Sequence, residues 1–211
     1  GNAYRLRPIS ALGGFVEFTG ADRPLGPEPV AGALKVAAFN LLNYFNTFDG
    51  LPDTLDNCTN GVGGAATDCR GADTQDEFDR QWPKTVSAVT GLGADVIGLI
   101  EIENDGYGAD SALQDLVTKV NTATAPGTYA LIDVDAATGQ INALGTDAIK
   151  VALIYKPASV TPVGQTAALN TEAFVNAGDS GPRNRPALAQ TFQENSTGQR
   201  FTVVVNHLKS K

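Results

Sequence analysis

The stretch Ala94-Asp95-Val96-Ile97-Gly98-Leu99-Ile100-Glu101 constrains the fold more than any other. It is a continuous apolar run of strand length that ends in a carboxylate, the pattern of a strand buried inside a sheet. Ahead of it, Phe78, Trp82, Val86 and Val89 recur at i, i+4, i+8 and i+11, which predicts an amphipathic helix over 76–92. Pro83 lies inside that stretch and predicts a kink or a restart. Behind it, Asp110-Ser111 can cap a second helix whose Leu113, Leu116, Val117 and Val120 share a face. Strand candidates then dominate: 129–134, 149–155, 187–192 and 201–206, with turn signals at Lys156-Pro157 and over 195–198. An earlier strand covers 34–42. Helices early and strands throughout point to an α/β sandwich, with no internal repeat and no low-complexity tract.

Residues 1–33 read differently. They are punctuated by Pro8, Pro24, Pro27 and Pro29 and are expected to be the tail of a preceding module plus a linker. The chain starts at Gly1 and contains no Met, so it is expected to be a processed or excised piece. Residues 43–75 form a long aperiodic stretch, and loops of that length inside a domain are usually functional. The two cysteines, Cys58 and Cys69, fall in it. A disulfide closing a short, exposed loop is the preferred reading over two free thiols, and it implies an oxidising compartment. No apolar run is long enough to span a bilayer.

Charge narrows the partners. With 15 basic and 23 acidic residues the net charge is −8, so a polyanion could not be held by bulk electrostatics. Any such substrate needs a local groove of Arg and Lys helped by a bound cation. The acidic balance is otherwise a solubility feature.

Several residues could carry chemistry. The sole histidine, His207, stands where the strand 201–206 emerges, a place suited to proton transfer, although position alone does not separate a catalytic histidine from an incidental one. Strand ends often hold hard cations through carboxylates, and alternation places Glu101 and Glu103 on one face. Asn40 is polar inside an apolar strand, and its amide needs a partner: a phosphate, a metal-bound water, a catalytic side chain or a structural hydrogen bond. Arg183 and Arg185 precede a strand and suit phosphate, or else belong to a solvated turn. The serine-hydrolase elbow, the phosphate-binding loop, the zinc helix motif and the dinucleotide fingerprint are all absent.

In their order along the chain these pieces resemble the endonuclease/exonuclease/phosphatase superfamily, deoxyribonuclease-I-like, and within it the large extracellular bacterial nucleases. The resemblance covers about 34–211. Leu34–Phe45 looks like the family's first strand, with Asn40 organising metal and scissile phosphate. Asp95–Asn104 looks like the second, with Glu101 as metal ligand. Val151–Pro157 looks like the strand that pairs next, and its Tyr155 is the counterpart of a phosphate-contacting tyrosine. Arg185, next to Pro186, is favoured over Arg183 for the phosphate contact. Val205–Lys211 looks like the catalytic histidine motif, giving His207 a catalytic role and Asn206 a substrate contact. Cys69–Asp73 followed by Glu77–Gln81 is similar to the extracellular subgroup in particular.

The resemblance implies the N-terminal half of a four-layer α/β sandwich, with two packed mixed β-sheets flanked by helices. It implies a secreted, divalent-metal-dependent nuclease using Mg²⁺, with Mn²⁺ or Ca²⁺ as alternatives. Nucleic acid, DNA above RNA, is the implied substrate, and no membrane is involved. A phosphatase, a phospholipid phosphodiesterase, or a non-catalytic nuclease-like binding module are the alternatives on the same scaffold. Family members continue past the histidine motif with further catalytic residues. The C-terminal half, in the same protein or as a separate fragment, is therefore an expected partner, and this chain alone is expected to be inactive.

Overall fold

A computed structural model describes residues 13–14, 26, 28–51, 55–176, 178 and 184–208. Most of the expected linker over 1–33 lies outside the described residues, as does Arg183. The order of elements is β1 (Val36–Tyr44), β2 (Cys58–Thr59), β3 (Ala66–Thr67), α1 (Gln75–Leu92), β4 (Val96–Glu103), α2 (Ala112–Ala123), β5 (Ala130–Leu131) and α3 (Val134–Thr138). It continues with β6 (Ile149–Tyr155), β7 (Val160–Leu169), α4 (Glu172–Val175), β8 (Ala187–Glu194) and β9 (Arg200–Val205).

The apolar run is the middle of the molecule. β4 pairs parallel with β1 and antiparallel with β6 in a sheet ordered β1-β4-β6-β5. The parallel pair requires a long crossover, which α1 supplies. Ile97 and Leu99 pack under α1 and α2, while Val96 and Ile100 pack against β8 and β9 on the other face. Both faces are covered, so no position between 96 and 100 needed to be polar. At Gly98 a Cβ would stand 2.9 Å from Val205 Cγ2, so its missing side chain is what lets β9 come this close to β4.

Helix α1 starts at Thr74, whose side chain accepts from the Glu77 amide, while Glu77 Oε2 accepts from the Asp73 amide at 2.9 Å. It ends at Gly93 in the left-handed region, φ 59°. Of the expected kink or restart, no restart occurs: α1 is continuous through Pro83. Pro83 is exposed, so the carbonyl its missing N–H leaves free can be hydrated, while Phe78, Val86 and Val89 hold the buried face.

The expected strand over 129–134 is cut to Ala130–Leu131, because Asp133 turns the chain into α3 by accepting from the Ala136 amide at 2.9 Å. The second sheet, β7-β8-β9, is antiparallel throughout rather than mixed. Among the described residues there are three layers: helices, mixed sheet and antiparallel sheet. Leu188, Phe192 and Val205 face the first sheet. The opposite face carries polar pairs such as Thr191 and Thr202, whose hydroxyls are 2.8 Å apart. Among the described residues no helix is long and apolar enough to cross a membrane.

The long stretch 43–75 is not a bare loop. Cys58 and Cys69 form a disulfide next to the β2–β3 hairpin. Far from being exposed, both half-cystines are buried with Phe45, Ala148 and Ile149. Asp49, fully buried, ties the segment down by accepting from the amides of Asn57 (2.7 Å) and Cys69 (2.6 Å).

Candidate active site

Three side-chain-bearing residues take positive φ close together at the ends of the two parallel strands: Leu42 (54°), Asn43 (56°) and Glu101 (65°). Both ladders shift register there, between Asn40 and Tyr44 and between Leu99 and Ile102. Such backbone costs of order 1–3 kcal/mol per residue and persists where surrounding structure over-determines it, most often at functional sites. The irregularity ends the alternation, so Glu101 and Glu103 do not share a face. Glu103 is buried and its Oε2 accepts from the amides of Asn46 (3.0 Å) and Thr47 (3.2 Å). Its Oε1 lies 3.4 Å from Cys58 Sγ, a contact rather than a hydrogen bond because a disulfide sulfur has no proton. Glu103 is therefore structural.

Glu101 instead turns to His207, with Oε1 3.4 Å from Nε2. The two side chains are 19% and 13% exposed, so the pair is accessible yet largely shielded from bulk water. Burial and the neighbouring Arg185 cation hold the imidazole below its ordinary range, opposed by Glu101 and Asp147. The ring is thus biased to the neutral form, which can both accept and donate a proton. His207 Nδ1 is buried without a hydrogen-bond partner among the described residues.

Arg185 reaches the site through backbone geometry. Its amide donates to the His207 carbonyl at 3.1 Å, continuing the β8–β9 ladder beyond Val205. Its Nε is 3.0 Å from Asp147 Oδ2, while Arg70 Nη1 is 2.9 Å from Asp147 Oδ1. One carboxylate shared by two guanidinium groups leaves a net positive charge next to the Glu101–His207 pair. Asn104 sets the height of that carboxylate, since its Nδ2 donates to the carbonyls of Gly145 and Asp147, each at 3.0 Å. A cavity of about 520 Å³ opens here, lined by Arg70, Asn142, Asp147, Asn170, Asn184 and Arg185. A second, of about 730 Å³, shares Arg70 and runs along Asn40 and α1.

Not every expected residue sits in this place. Asn40 is exposed rather than buried, because β1 is the edge strand of its sheet, and its Oδ1 accepts from the Leu42 amide at 2.7 Å. It still flanks the centre, opposite Ile100 in the ladder. Tyr155 is at the wrong end: β6 runs antiparallel to β4, so Tyr155 pairs with Val96, five residues and about 16 Å from Glu101. Its ring packs on Phe192 at 5.5 Å between centroids. Asn206 is exposed at the end of β9, beside His207.

Arg70, Asn104 and Asp147 are functional candidates that sequence reasoning did not single out. Arg70 follows directly on Cys69, so the disulfide positions it, whereas Asp147 in a Gly145-Thr146-Asp147 turn carries no distinguishing signal. The interior also holds Lys150, only 1% exposed, donating to the Gly106 carbonyl at 2.6 Å with Nζ 4.1 Å over the Tyr107 ring. A lone Lys in the apolar run 149–155 was its visible trace.

Among the described residues no three His, Cys, Asp or Glu side chains converge. Glu101 and, at the end of the neighbouring strand, Asn40 would supply a hard cation with at most two side-chain oxygen donors, so such an ion would keep most of its water or take phosphate oxygens.

No protein-family model matches the chain, and no curated protein sequence does. Its likeness is to solved structures. An endonuclease/exonuclease/phosphatase family protein from Bacteroides thetaiotaomicron shares 15% identity over 83% of this chain, with a TM-score of 0.48. A mannosyl-6-phosphatase from the same organism shares 15% over 82%, with a TM-score of 0.45. The catalytic domain of human Nocturnin, with bound sulfate, shares 16% over 64%, with a TM-score of 0.42. The chain spans 50%, 50% and 44% of the respective lengths of these structures.

Proposed function

We propose that this chain carries the first half of the active site of a secreted, metal-dependent phosphodiesterase that hydrolyses nucleic acid, DNA in preference to RNA. The observation that supports this most is the juxtaposition of the Glu101–His207 pair with the Arg70–Asp147–Arg185 cluster. A general acid–base next to a carboxylate and two guanidinium groups is what phosphoryl transfer to water requires.

Glu101, helped by Asn40, would hold the cation, and when bound it neutralises charge on nonbridging phosphate oxygens. Arg185 and Arg70 donate to those same oxygens, and Asp147 keeps both forks aimed. His207 moves one proton of the reaction at Nε2: water adds to phosphorus in line, the opposite P–O bond breaks, and the leaving alkoxide ends protonated. The residues that complete the site would come from the C-terminal half, adding its strands beyond β9, where Val204 and Leu208 are exposed. Secretion is supported by the buried disulfide.

The test is substrate class. The complete protein with Mg²⁺ should cut plasmid DNA, should lose that activity in EDTA, and should leave a choline phospholipid and simple phosphomonoesters untouched. Preferential release of phosphate from monoesters, or of phosphocholine, would move the assignment to the phosphatase or phospholipase alternatives.

A further inference from the structure

The 730 Å³ cavity beside Asn40 is lined by Arg70 and, on α1, by Arg80 and Lys84, three of the 15 basic residues of a chain with net charge −8. We infer that this groove is a strand-tracking subsite that grips the backbone phosphates flanking the scissile one, so that the protein recognises a polynucleotide rather than a lone phosphoester. The inference rests on the phosphodiesterase reading for the position of the scissile bond.

Four features carry it. Arg80 and Lys84 are i and i+4 on α1, so they lie on one face about 6 Å apart along the axis. That spacing is comparable with successive phosphates along a strand. Both are exposed, and Lys84 has no ion pair among the described residues. The acids that line the same groove are largely engaged. Glu77 Oε2 accepts from the Asp73 amide and its Oε1 stands 3.6 Å from Arg80, leaving Asp73 as the remaining carboxylate. Arg70 lines both this groove and the cavity holding Arg185 and Asp147, so the two adjoin at Arg70.

Gln81 ties this wall of the groove to the candidate centre. Its Nε2 donates to the carbonyls of Leu42 (3.2 Å) and Asn43 (3.3 Å), which fixes the amide and ties α1 to the strained end of β1. Its Oε1 is then buried with no partner among the described residues, and Gln81 lines the groove.

The experiment measures binding, in EDTA so that no strand is cut. Fluorescent single-stranded oligonucleotides of two and of twelve nucleotides are titrated against the complete protein and its R80A/K84A variant between 50 and 200 mM salt. The parent should bind the long strand more tightly and with steeper salt dependence than the short one. The variant should flatten the slope of log affinity against log salt by about 1.4 for the long strand, roughly 0.7 per lost phosphate contact, and leave the dinucleotide unaffected. R80K/K84R should retain the parent slope.

An R80A/K84A variant with the parent slope overturns the inference, as does R80K/K84R losing as much as the alanine pair. A parent that binds with this length and salt dependence but cleaves no diester overturns the catalytic reading and leaves the groove standing.

Discussion

Glu101 carries both a backbone irregularity and the contact to His207, so its side chain can be changed while its backbone role is kept. In Glu101→Gln the shape is preserved and one negative charge is lost. The Mg²⁺ concentration giving half-maximal activity should rise at least tenfold, with the fold retained; an unchanged metal titration would remove Glu101 from the cation site. Two other residues set a pH dependence of stability. Burial and the Glu103 carboxylate push Asp105 up to about 6, and burial pulls Lys150 down to about 8.

The folded state therefore binds more protons than the unfolded one between about pH 4 and 6, so Asp105 makes stability fall as pH rises through that window. Between about 8 and 10.5 the unfolded state binds more, so Lys150 makes stability rise again. At 1.4 kcal/mol per unit, each arm is worth about 3 kcal/mol at most. Denaturation across pH 4 to 10 should show this trough in the parent and a flatter curve in Asp105→Asn/Lys150→Met. Parallel curves would refute the assignment.

At the scale of elements, the close approach of β4 and β9 sets the distance between Glu101 and His207. Gly98→Ala puts a methyl 2.9 Å from Val205 Cγ2, and the β-branched, buried Val205 cannot swing away. Overpacking of this kind costs about 1–3 kcal/mol, and Val205→Ala in the same chain should recover most of it. Additive losses in the double variant would mean that the two side chains do not meet. The disulfide closes a short loop, Cys58 to Cys69 with a separation of 11, which by chain entropy stabilises by about 3 kcal/mol. Replacing both cysteines by Ala should lower Tm by about 6–12 °C, and an unchanged Tm would show that Asp49 alone holds the segment.

How much of this was legible depended on whether local pattern or pairing direction decided it. α1 and α2 follow from periodicity, β4 from its continuous apolar run, and the disulfide from two cysteines in one loop. Tyr155 was misplaced because nothing in 149–155 states that β6 runs against β4. Asn40 was misjudged as buried because an apolar strand does not announce that it lies at a sheet edge. β7 was missed where Pro162 and Gly164 interrupt a strand that an edge position tolerates.

At the scale of the molecule, an acidic chain concentrates its usable positive charge where two sheets and one helix end meet. Arg70 comes from the disulfide segment, Asp147 from the turn before β6, Arg185 from just before β8 and His207 from just after β9. No single segment contains the site, so fragments shorter than the packed sheets should have no affinity for phosphate. The most direct measurement is the rate of DNA phosphodiester hydrolysis by the complete protein and its His207→Ala variant, at saturating Mg²⁺ with both shown to be folded. Loss of a general acid–base predicts a fall in kcat of about 10²–10⁴. Turnover near that of the parent would contradict the assignment of the Glu101–His207 pair as the centre of the chemistry.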